Sequence, residues 1–421
     1  MKELIVWERF WTRRNGVIAA IGGLYLAQAI PMYAFALAVP AILRKSDVPL
    51  SFLGFLGFLL LPWVFKFMWA PLIDRFWSKR LGRRRSWLLP SQMLVIGGMV
   101  VLSQLNLAVD YWWVFGIGLV VAFASATQDA AADGFSVDHL DVKDRPIGSA
   151  IQGASVGAGV LIGGMGTLLL YDLIGWERAM LVMVVLTTFA ALPVWLLREK
   201  AVDPKTQRQL ASLKRFFRKP GIWSVLMLAF VFRCSEGLFK AMEIPFLVDL
   251  GFSMTTIGVL SGASGATIGV AGSFLAALAI RRFGVRSCLI GLCIARLACY
   301  LAFVGVALAD GLPPEFAIAA AMADTVIRYV EIVVLYSYFM KWSAGSQSAT
   351  DFSVLSSAQL FLYMVSSMVS GLIADALGYV TLFSLASGLS VLTLIAVMVL
   401  LGTRSQAQVS GDALDPSKSN L

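Results

Sequence analysis

The stretch LPWVFKFMWAPLIDRFWSKRLGRRRSW, residues 61–87, decides the fold. Its first half is apolar apart from Lys66, and its second half is rich in arginine. An apolar segment that runs into a basic loop is typical of a membrane-spanning helix. The whole 421-residue chain is 59% hydrophobic and 14% charged, where soluble domains hold about 25% charged residues. The sequence therefore predicts a membrane protein rather than a soluble one.

Apolar stretches of about 20 residues, enough to cross the hydrocarbon core as a helix, recur along the chain. We predict twelve such helices, near residues 16–43, 50–73, 87–106, 111–137, 146–171, 178–197, 221–248, 254–280, 287–308, 314–340, 351–374 and 379–402. The predicted organisation is an N-terminal segment 1–15, a six-helix half 16–197, a basic linker 198–220, a second six-helix half 221–402 and a disordered tail 403–421.

The distribution of lysine and arginine predicts the orientation. With a cytoplasmic N-terminus, nearly all basic loops and the linker face inward, and the outer loops hold little beyond Arg44, Lys45 and Arg178. We therefore expect both termini on the cytoplasmic side of a bacterial inner membrane. Because the net charge of +9 lies in these loops, it does not indicate nucleic-acid binding.

The two halves share landmarks in the same order. Gly23–Pro31 in helix 1 is similar to Gly237–Pro245 in helix 7, and Gly175-Trp176 before helix 6 matches Gly378-Tyr379 before helix 12. Repeated halves around a site at the bilayer midplane are a pattern of secondary transporters.

Charged residues inside the predicted helices are the first site candidates, because a charge at mid-bilayer costs at least about 2.5 kcal/mol. Helix 7 and helix 10 each place alternating charges on one face, and these can neutralise one another within each helix. They are Arg233, Glu236, Lys240 and Glu243 on helix 7, and Asp324, Arg328 and Glu331 on helix 10. Two interpretations stay open: a polar stripe that lines the transport path and couples it to protons, or ion pairs that only hold the halves together.

Helix 4 carries a second candidate group. Asp129 and Asp133 are four residues apart, so they share a face, and two close carboxylates can share one proton. Lys66 of helix 2 is a candidate counter-ion; the alternative is that both aspartates pair with basic residues of the loops. Further candidates for the substrate cavity are Tyr25, Gln28, Gln128, Gln152, Tyr329 and Gln359.

Leu61–Arg75, followed by Leu81–Trp87, resembles a divergent form of the motif between helices 2 and 3 of major facilitator transporters. Ala70 replaces the usual glycine, and extra residues separate Asp74-Arg75 from Gly82-Arg83-Arg84. With Ser125–Asp133 of helix 4, this variant resembles the branch of AmpG-like muropeptide permeases and acetyl-CoA transporters. The resemblance implies an all-α polytopic membrane protein with the major facilitator fold. It also implies a gate motif formed by Asp74, Arg75, Gly82, Arg83 and Arg84, with Asp129 and Asp133 as coupling or substrate carboxylates.

Three local features are more similar to siderophore permeases of the rhizobactin and pyochelin type. They are Tyr25–Pro31, Ala150–Gln152, and Tyr338–Trp342 with Ala349–Phe352. The leading hypothesis is therefore import of a siderophore, free or metal-bound, by a monomeric proton symporter with alternating access. The alternative is a muropeptide permease. An exporter or a membrane-embedded enzyme is a remote third possibility, since the chain has one histidine and no HExxH, GxSxG or Walker motif. The four cysteines form no CxxC pair, and we expect neither a metal site nor a cofactor.

Overall fold

A computed structural model describes residues 14–45, 56–78, 80–107, 109–196, 211–252, 264–308 and 312–413. These residues are helical with short connections, and no β-strand occurs among them. We number the membrane helices α1 to α12. In the first half they are α1 (Arg14–Tyr33, Ala34–Ala38 and Val39–Lys45), α2 (Leu56–Leu60, Leu61–Phe65, Lys66–Met68 and Ala70–Arg75), α3 (Arg85–Ser103), α4 (Tyr111–His139), α5 (Arg145–Gly159, Val160–Gly166 and Thr167–Ile174) and α6 (Trp176–Leu196).

The second half follows a short linker helix, Leu213–Phe217. It contains α7 (Ile222–Asp249), α8 (264–283), α9 (285–307), α10 (Glu315–Ser343), α11 (348–377) and α12 (379–413). α8 and α9 are separated only by Gly284, and α11 and α12 only by Gly378, where the backbone leaves the helical conformation.

Eight described segments are long and apolar enough to cross a membrane. Two of them, Gly269–Ala307 and Ser348–Leu401, contain the breaks at Gly284 and Gly378, so each is a pair of helices. The interrupted α2 and the charged α10 complete the set. The predicted twelve helices in two halves of six are confirmed within the described ranges.

The break between α11 and α12 repeats the one between α5 and α6. Gly175 has φ 80° and ψ 172°, and Gly378 has φ 78° and ψ 169°. The aromatic residue that follows each glycine bonds to a neighbouring helix end: Trp176 donates to the Leu102 carbonyl and Tyr379 donates to Asp249. The sequence repeat at these positions is therefore also a structural repeat.

Small residues let the helices around the centre approach closely. A Cβ on Gly163 of α5 would lie 2.1 Å from the Ile30 carbonyl oxygen of α1, and one on Gly153 would lie 2.4 Å from Ser273 Oγ of α8. α5 thus packs on α1 within its own half and on α8 of the other half. The π-helical parts of α1 and α5, Ala34–Ala38 and Val160–Gly166, contact each other.

Parts of the predicted organisation lie outside the described residues: 1–13 of the N-terminal segment, 50–55 and 254–263 of two predicted helices, residue 197 of the first half, 198–210 of the linker and 414–421 of the tail. In the described part of the tail, helix continues to Ala413 instead of ending near residue 402. A prediction based on apolar run length ends the helix where polar residues begin, although a helix can extend beyond the bilayer into water.

Candidate functional site

A buried cluster in the first half joins α1, α2, α4 and α5. Lys66 Nζ lies 2.5 Å from Asp129 Oδ2 and 3.0 Å from Asp133 Oδ2, so one ammonium bridges both carboxylates. Gln28 donates to Asp129 Oδ1 at 2.8 Å, and Tyr25 donates to Asp133 Oδ1 at 2.8 Å. Every carboxylate oxygen of the pair therefore faces a donor. We call these residues, with Gln152, the N-half cluster.

Local structure explains the placement of Lys66. Pro62 and Pro71 interrupt α2, and the residues between them include a short 3-10 segment, Lys66–Met68. Proline removes a backbone donor and disfavours a continuous α-helix. On the straight helix α4, Asp129 and Asp133 lie one turn apart and face the same ammonium. The aspartates thus pair with Lys66, and the alternative in which they pair with loop residues is not what the structure contains.

The second half contains a larger cluster on α7, α9 and α10. Glu236 is fully buried and ion-pairs with Arg233, with Arg328 at 3.1 Å and with Arg296 at 3.8 Å. Arg296 also pairs with the buried Glu331. The expected pairing within one helix holds for Arg233 and Glu236 of α7. It is wrong for α10, because Arg328 and Glu331 find their partners on α7 and α9.

Lys240, Glu243 and Asp324 form the outer part of this cluster. Lys240 Nζ lies 2.8 and 2.7 Å from the two oxygens of Glu243, and 3.6 Å from Asp324 Oδ2. Asp324 is fully buried, and among the described residues neither of its oxygens has a hydrogen-bond partner. We call eight of these residues the C-half cluster: Arg233, Glu236, Lys240, Glu243, Arg296, Asp324, Arg328 and Glu331. Their charges are four positive and four negative when all are ionised.

Only part of the C-half cluster reaches solvent. The Arg328 side chain is 37% exposed and that of Lys240 is 16% exposed, whereas Glu236, Asp324 and Glu331 are buried between helices. Arg328 and Arg233 both lie 5.8 Å from the ring of Tyr363, and Arg233 Nε donates to Gln359. The expectation that the whole stripe lines an aqueous cavity therefore applies to Arg328 and Lys240, and the carboxylates support them from behind.

Tyr336 connects the clusters across the interface between the halves, and Tyr33 of the first half faces the second. Tyr336 of α10 interacts electrostatically with Lys66 and Asp133 on one side and with Arg233 on the other. Tyr33 of α1 interacts with Arg328 and Tyr329. The N-half and C-half clusters thus face a common central region.

An apolar cavity of about 260 Å³ adjoins the N-half cluster. Its wall includes Met32 on α1, Trp63 on α2 and Ser125 on α4. Each of these lies three or four residues from a member of the cluster, respectively Gln28, Lys66 and Asp129. One helical turn spans 3.6 residues, so on three helices the cavity wall lies about one turn from the cluster, although no member of the cluster lines the cavity. Gln128, which the sequence suggested as a residue of the substrate cavity, is buried on α4 but does not belong to the N-half cluster.

The gate motif joins the two halves at the face that carries the α2–α3, α4–α5 and α10–α11 connections, which we call the basic face. Asp74 accepts from Arg83 at 2.8 Å, ion-pairs with Arg84 at 2.8 Å, and accepts from the backbone and hydroxyl of Thr350 at 2.7 Å. Arg83 also donates to the Ser346 carbonyl. These bonds cross from the first half to the start of α11, so the two halves are held together at this face.

Not every predicted gate residue takes part. Arg75 is exposed and lies over the Phe76 ring, so it does not join the Asp74 pairs. Gly82 allows the turn, with φ 97°. Asp138, which was not predicted from the sequence, pairs with Arg84 at 2.8 Å and accepts from Ser348 at 2.5 Å. Arg296 was not predicted either, although a lone arginine within an apolar stretch is itself a signal of function.

Comparison with known proteins agrees with this architecture. Residues 21–327 match the family model of the Major Facilitator Superfamily. The anhydromuropeptide permease of Escherichia coli K12 is 25% identical over 398 residues, which are 92% of this chain and 80% of that protein. The putative transporter AmpG 4 of Rickettsia conorii is 23% identical over 355 residues, 80% of this chain and 85% of that protein. The crystal structure of the transporter FucP in the outward conformation is 13% identical, with a TM-score of 0.70, and covers 92% of this chain and 98% of that one.

Proposed function

Since the chain belongs to the Major Facilitator Superfamily, a family of secondary transporters, we propose that it is a bacterial inner-membrane permease that imports a muropeptide by alternating access. The similarity to the anhydromuropeptide permease supports the substrate, because it extends over 92% of the chain. The order of the charged and apolar regions in the centre supports it independently.

One structural observation carries the proposal for the substrate: an apolar cavity whose wall lies about one helical turn from a charged cluster. A muropeptide joins a sugar part to a short peptide. Trp63 and Phe35 in the cavity wall offer aromatic faces to the ring of the sugar part. The cavity is smaller than the roughly 300–1,000 Å³ of complete ligand sites, so it fits one part of such a molecule. The peptide part, with its charges, then lies between the N-half cluster and Arg328.

The bonds of Asp74 and Arg84 at the basic face support the alternating-access part of the proposal. With both halves joined there, a solute reaches the centre from the opposite side. Import then requires that these bonds break while the halves close at the other face. If the basic face is cytoplasmic, as its arginines predict, the structure represents the state before release.

The test is uptake of radiolabelled anhydromuropeptide into proteoliposomes that contain the purified protein. We expect uptake above that of empty liposomes, inhibited by unlabelled anhydromuropeptide. Trp63→Ala removes an aromatic wall of the cavity and should reduce uptake severalfold. Trp113→Ala is the matched control, since Trp113 is 69% exposed at the start of α4, and it should leave uptake unchanged. No uptake by the wild type, or equal loss in both variants, would contradict the proposal.

A siderophore permease is the second candidate, and the relatives described above do not support it. The feature that favours it is the aromatic wall of the cavity, since a siderophore also carries apolar rings beside carboxylates. The same proteoliposomes, offered a radiolabelled ferric siderophore of the pyochelin type, separate the two candidates. Transport of the siderophore without transport of the anhydromuropeptide would favour the second.

A further inference from the structure

Asp324 differs from the other buried carboxylates of the centre. Asp129 and Asp133 receive donors on all four of their oxygens, from Lys66, Gln28 and Tyr25. Asp324 is equally buried, yet among the described residues no donor bonds to either oxygen. Burying an ionised carboxylate without hydrogen bonds costs several kcal/mol, whereas a protonated one costs much less. The surroundings of Asp324 in this conformation therefore favour its protonated form.

Protonation of Asp324 changes the charge balance of the groups around it. They are Glu236, Lys240 and Glu243 on α7, Cys299, Arg296 and Tyr300 on α9, and Arg328 one turn away on its own helix. Lys240 is already held by both oxygens of Glu243, so its charge is largely neutralised there. With Asp324 neutral, four cations of the C-half cluster face three carboxylates. One positive charge is then in excess, and Arg328 is the cation most open to solvent.

We propose that Asp324 carries a co-transported proton, and that its protonation allows Arg328 to bind a carboxylate of the solute. The inference rests on the proposed function and adds the coupling ion to it. A proton that enters from the side opposite the basic face binds an Asp324 oxygen and leaves the cluster with a single positive charge. The carboxylate of the solute then neutralises that charge at Arg328. Proton and solute each favour the binding of the other, because the coupling between two sites is reciprocal.

Release reverses these steps. When the solute leaves Arg328 on the other side, the excess positive charge favours loss of the proton from Asp324. Lys240 Nζ, 3.6 Å from Asp324 Oδ2, then faces the new carboxylate as well as Glu243, which already binds it. In the N-half cluster every oxygen of the two aspartates already has a donor, whereas among the described residues Asp324 has none. This difference places the proton in the second half, although the sequence leaves both halves as candidates.

The experiment compares two kinds of transport by Asp324→Asn in proteoliposomes with radiolabelled anhydromuropeptide. Asparagine imitates the protonated carboxyl in size and charge but cannot release a proton. We expect exchange of labelled for unlabelled solute to persist within a few-fold of wild type. Accumulation driven by a gradient of one pH unit should fall from about tenfold, the limit for one proton per solute, to no accumulation. Asp375→Asn, at an exposed carboxylate near the end of α11, is the control and should accumulate normally.

The remaining outcomes distinguish a wrong proton site from a structural role of Asp324 and from a wrong proposed function. Asp324→Asn that still accumulates solute under the pH gradient would overturn the inference. Loss of both exchange and accumulation would point to a structural role, unless Asp324→Glu restores both, which would support the proton site. Wild-type protein that exchanges the solute but ignores the pH gradient would refute the proton site and leave the proposed function intact. Wild-type protein that exchanges no anhydromuropeptide would refute the proposed function instead.

Discussion

At the scale of single residues, the chain buries ionisable groups inside its membrane helices, and several of these groups pair with more than one opposite charge. Lys66 pairs with two aspartates, and Glu236 pairs with three arginines. Removing one partner of a buried ion pair typically costs about 3–5 kcal/mol, because it leaves the other charge uncompensated. The shared groups should therefore be the positions most sensitive to substitution.

Lys66→Met tests this for the N-half cluster. The change leaves Asp129 and Asp133 beside each other without their cation, so we expect a clearly lower melting temperature in detergent and loss of solute uptake. The double variant Lys66→Met with Asp129→Asn removes one of the two carboxylates that lost their cation and returns the net charge of the three positions from −2 to −1, while Asp133 stays unpaired. It should regain part of the melting temperature but not the uptake. If the single variant melts like wild type, the ammonium does not stabilise the pair.

At the scale of elements, glycine decides where the long helical stretches divide. Gly284 and Gly378 have φ near 78° with ψ of 161° and 169°, a region that only glycine adopts readily. No atom lies within 4 Å of a Cβ built on either glycine, so their requirement is for the backbone conformation and not for space. The gaps between the predicted apolar stretches, 281–286 and 375–378, contain these glycines, and the structure narrows each gap to a single residue with helix on both sides.

Gly378→Ala should therefore lower stability through backbone strain of about 1–3 kcal/mol. The matched control is Gly388→Ala on α12, where a Cβ also meets nothing within 4 Å and the backbone is helical. Alanine is the better helix former, so the control should be neutral or slightly stabilising. Thermal unfolding of both variants in the same detergent measures the difference. Equal melting temperatures would show that the turn tolerates alanine.

At the scale of the whole molecule, closure of the basic face depends on contact between residues from both halves. Asp74 and Arg84 of the first half meet Thr350 and Ser348 of the second. Gly134 of α4 lies at this contact: a Cβ there would be 2.8 Å from the Ala349 Cβ and 2.7 Å from Arg84 Cζ. The two halves can approach this closely only because residue 134 has no side chain.

Gly134→Ala should shift the molecule towards a state that is open at the basic face. Spin labels at Lys143→Cys and Lys341→Cys, on exposed residues of opposite halves at that face, would report a longer distance in a background without the four native cysteines. Gly116→Ala is the control on the same helix, since a Cβ there meets nothing within 4 Å. An unchanged distance distribution in Gly134→Ala would mean that Arg84 and α11 adjust without opening.

Residue spacing in the sequence predicts which charges share a helix face, but not which charges on different helices meet. Helical spacing correctly grouped Arg233, Glu236, Lys240 and Glu243 on one face, because periodicity along a helix is a local property. It paired Arg328 and Glu331 with the wrong neighbours, since their partners Glu236 and Arg296 are on other helices. Arg296 itself was missed because it is the only charge within its apolar stretch, and no spacing pattern includes it.

For the part of the chain that the structure describes, the sequence by itself determined twelve membrane helices in two similar halves, and charged side chains within those helices. Hydrophobic length and periodicity are read along the chain, and lipid makes them strict because every backbone polar group must be bonded internally. Only the tertiary structure decided which charged side chains form ion pairs, and which buried carboxylate, Asp324, has no hydrogen-bond donor among the described residues. It also decided which face is closed, because those contacts join residues as far apart as Asp74 and Thr350, and their positions depend on how the helices pack.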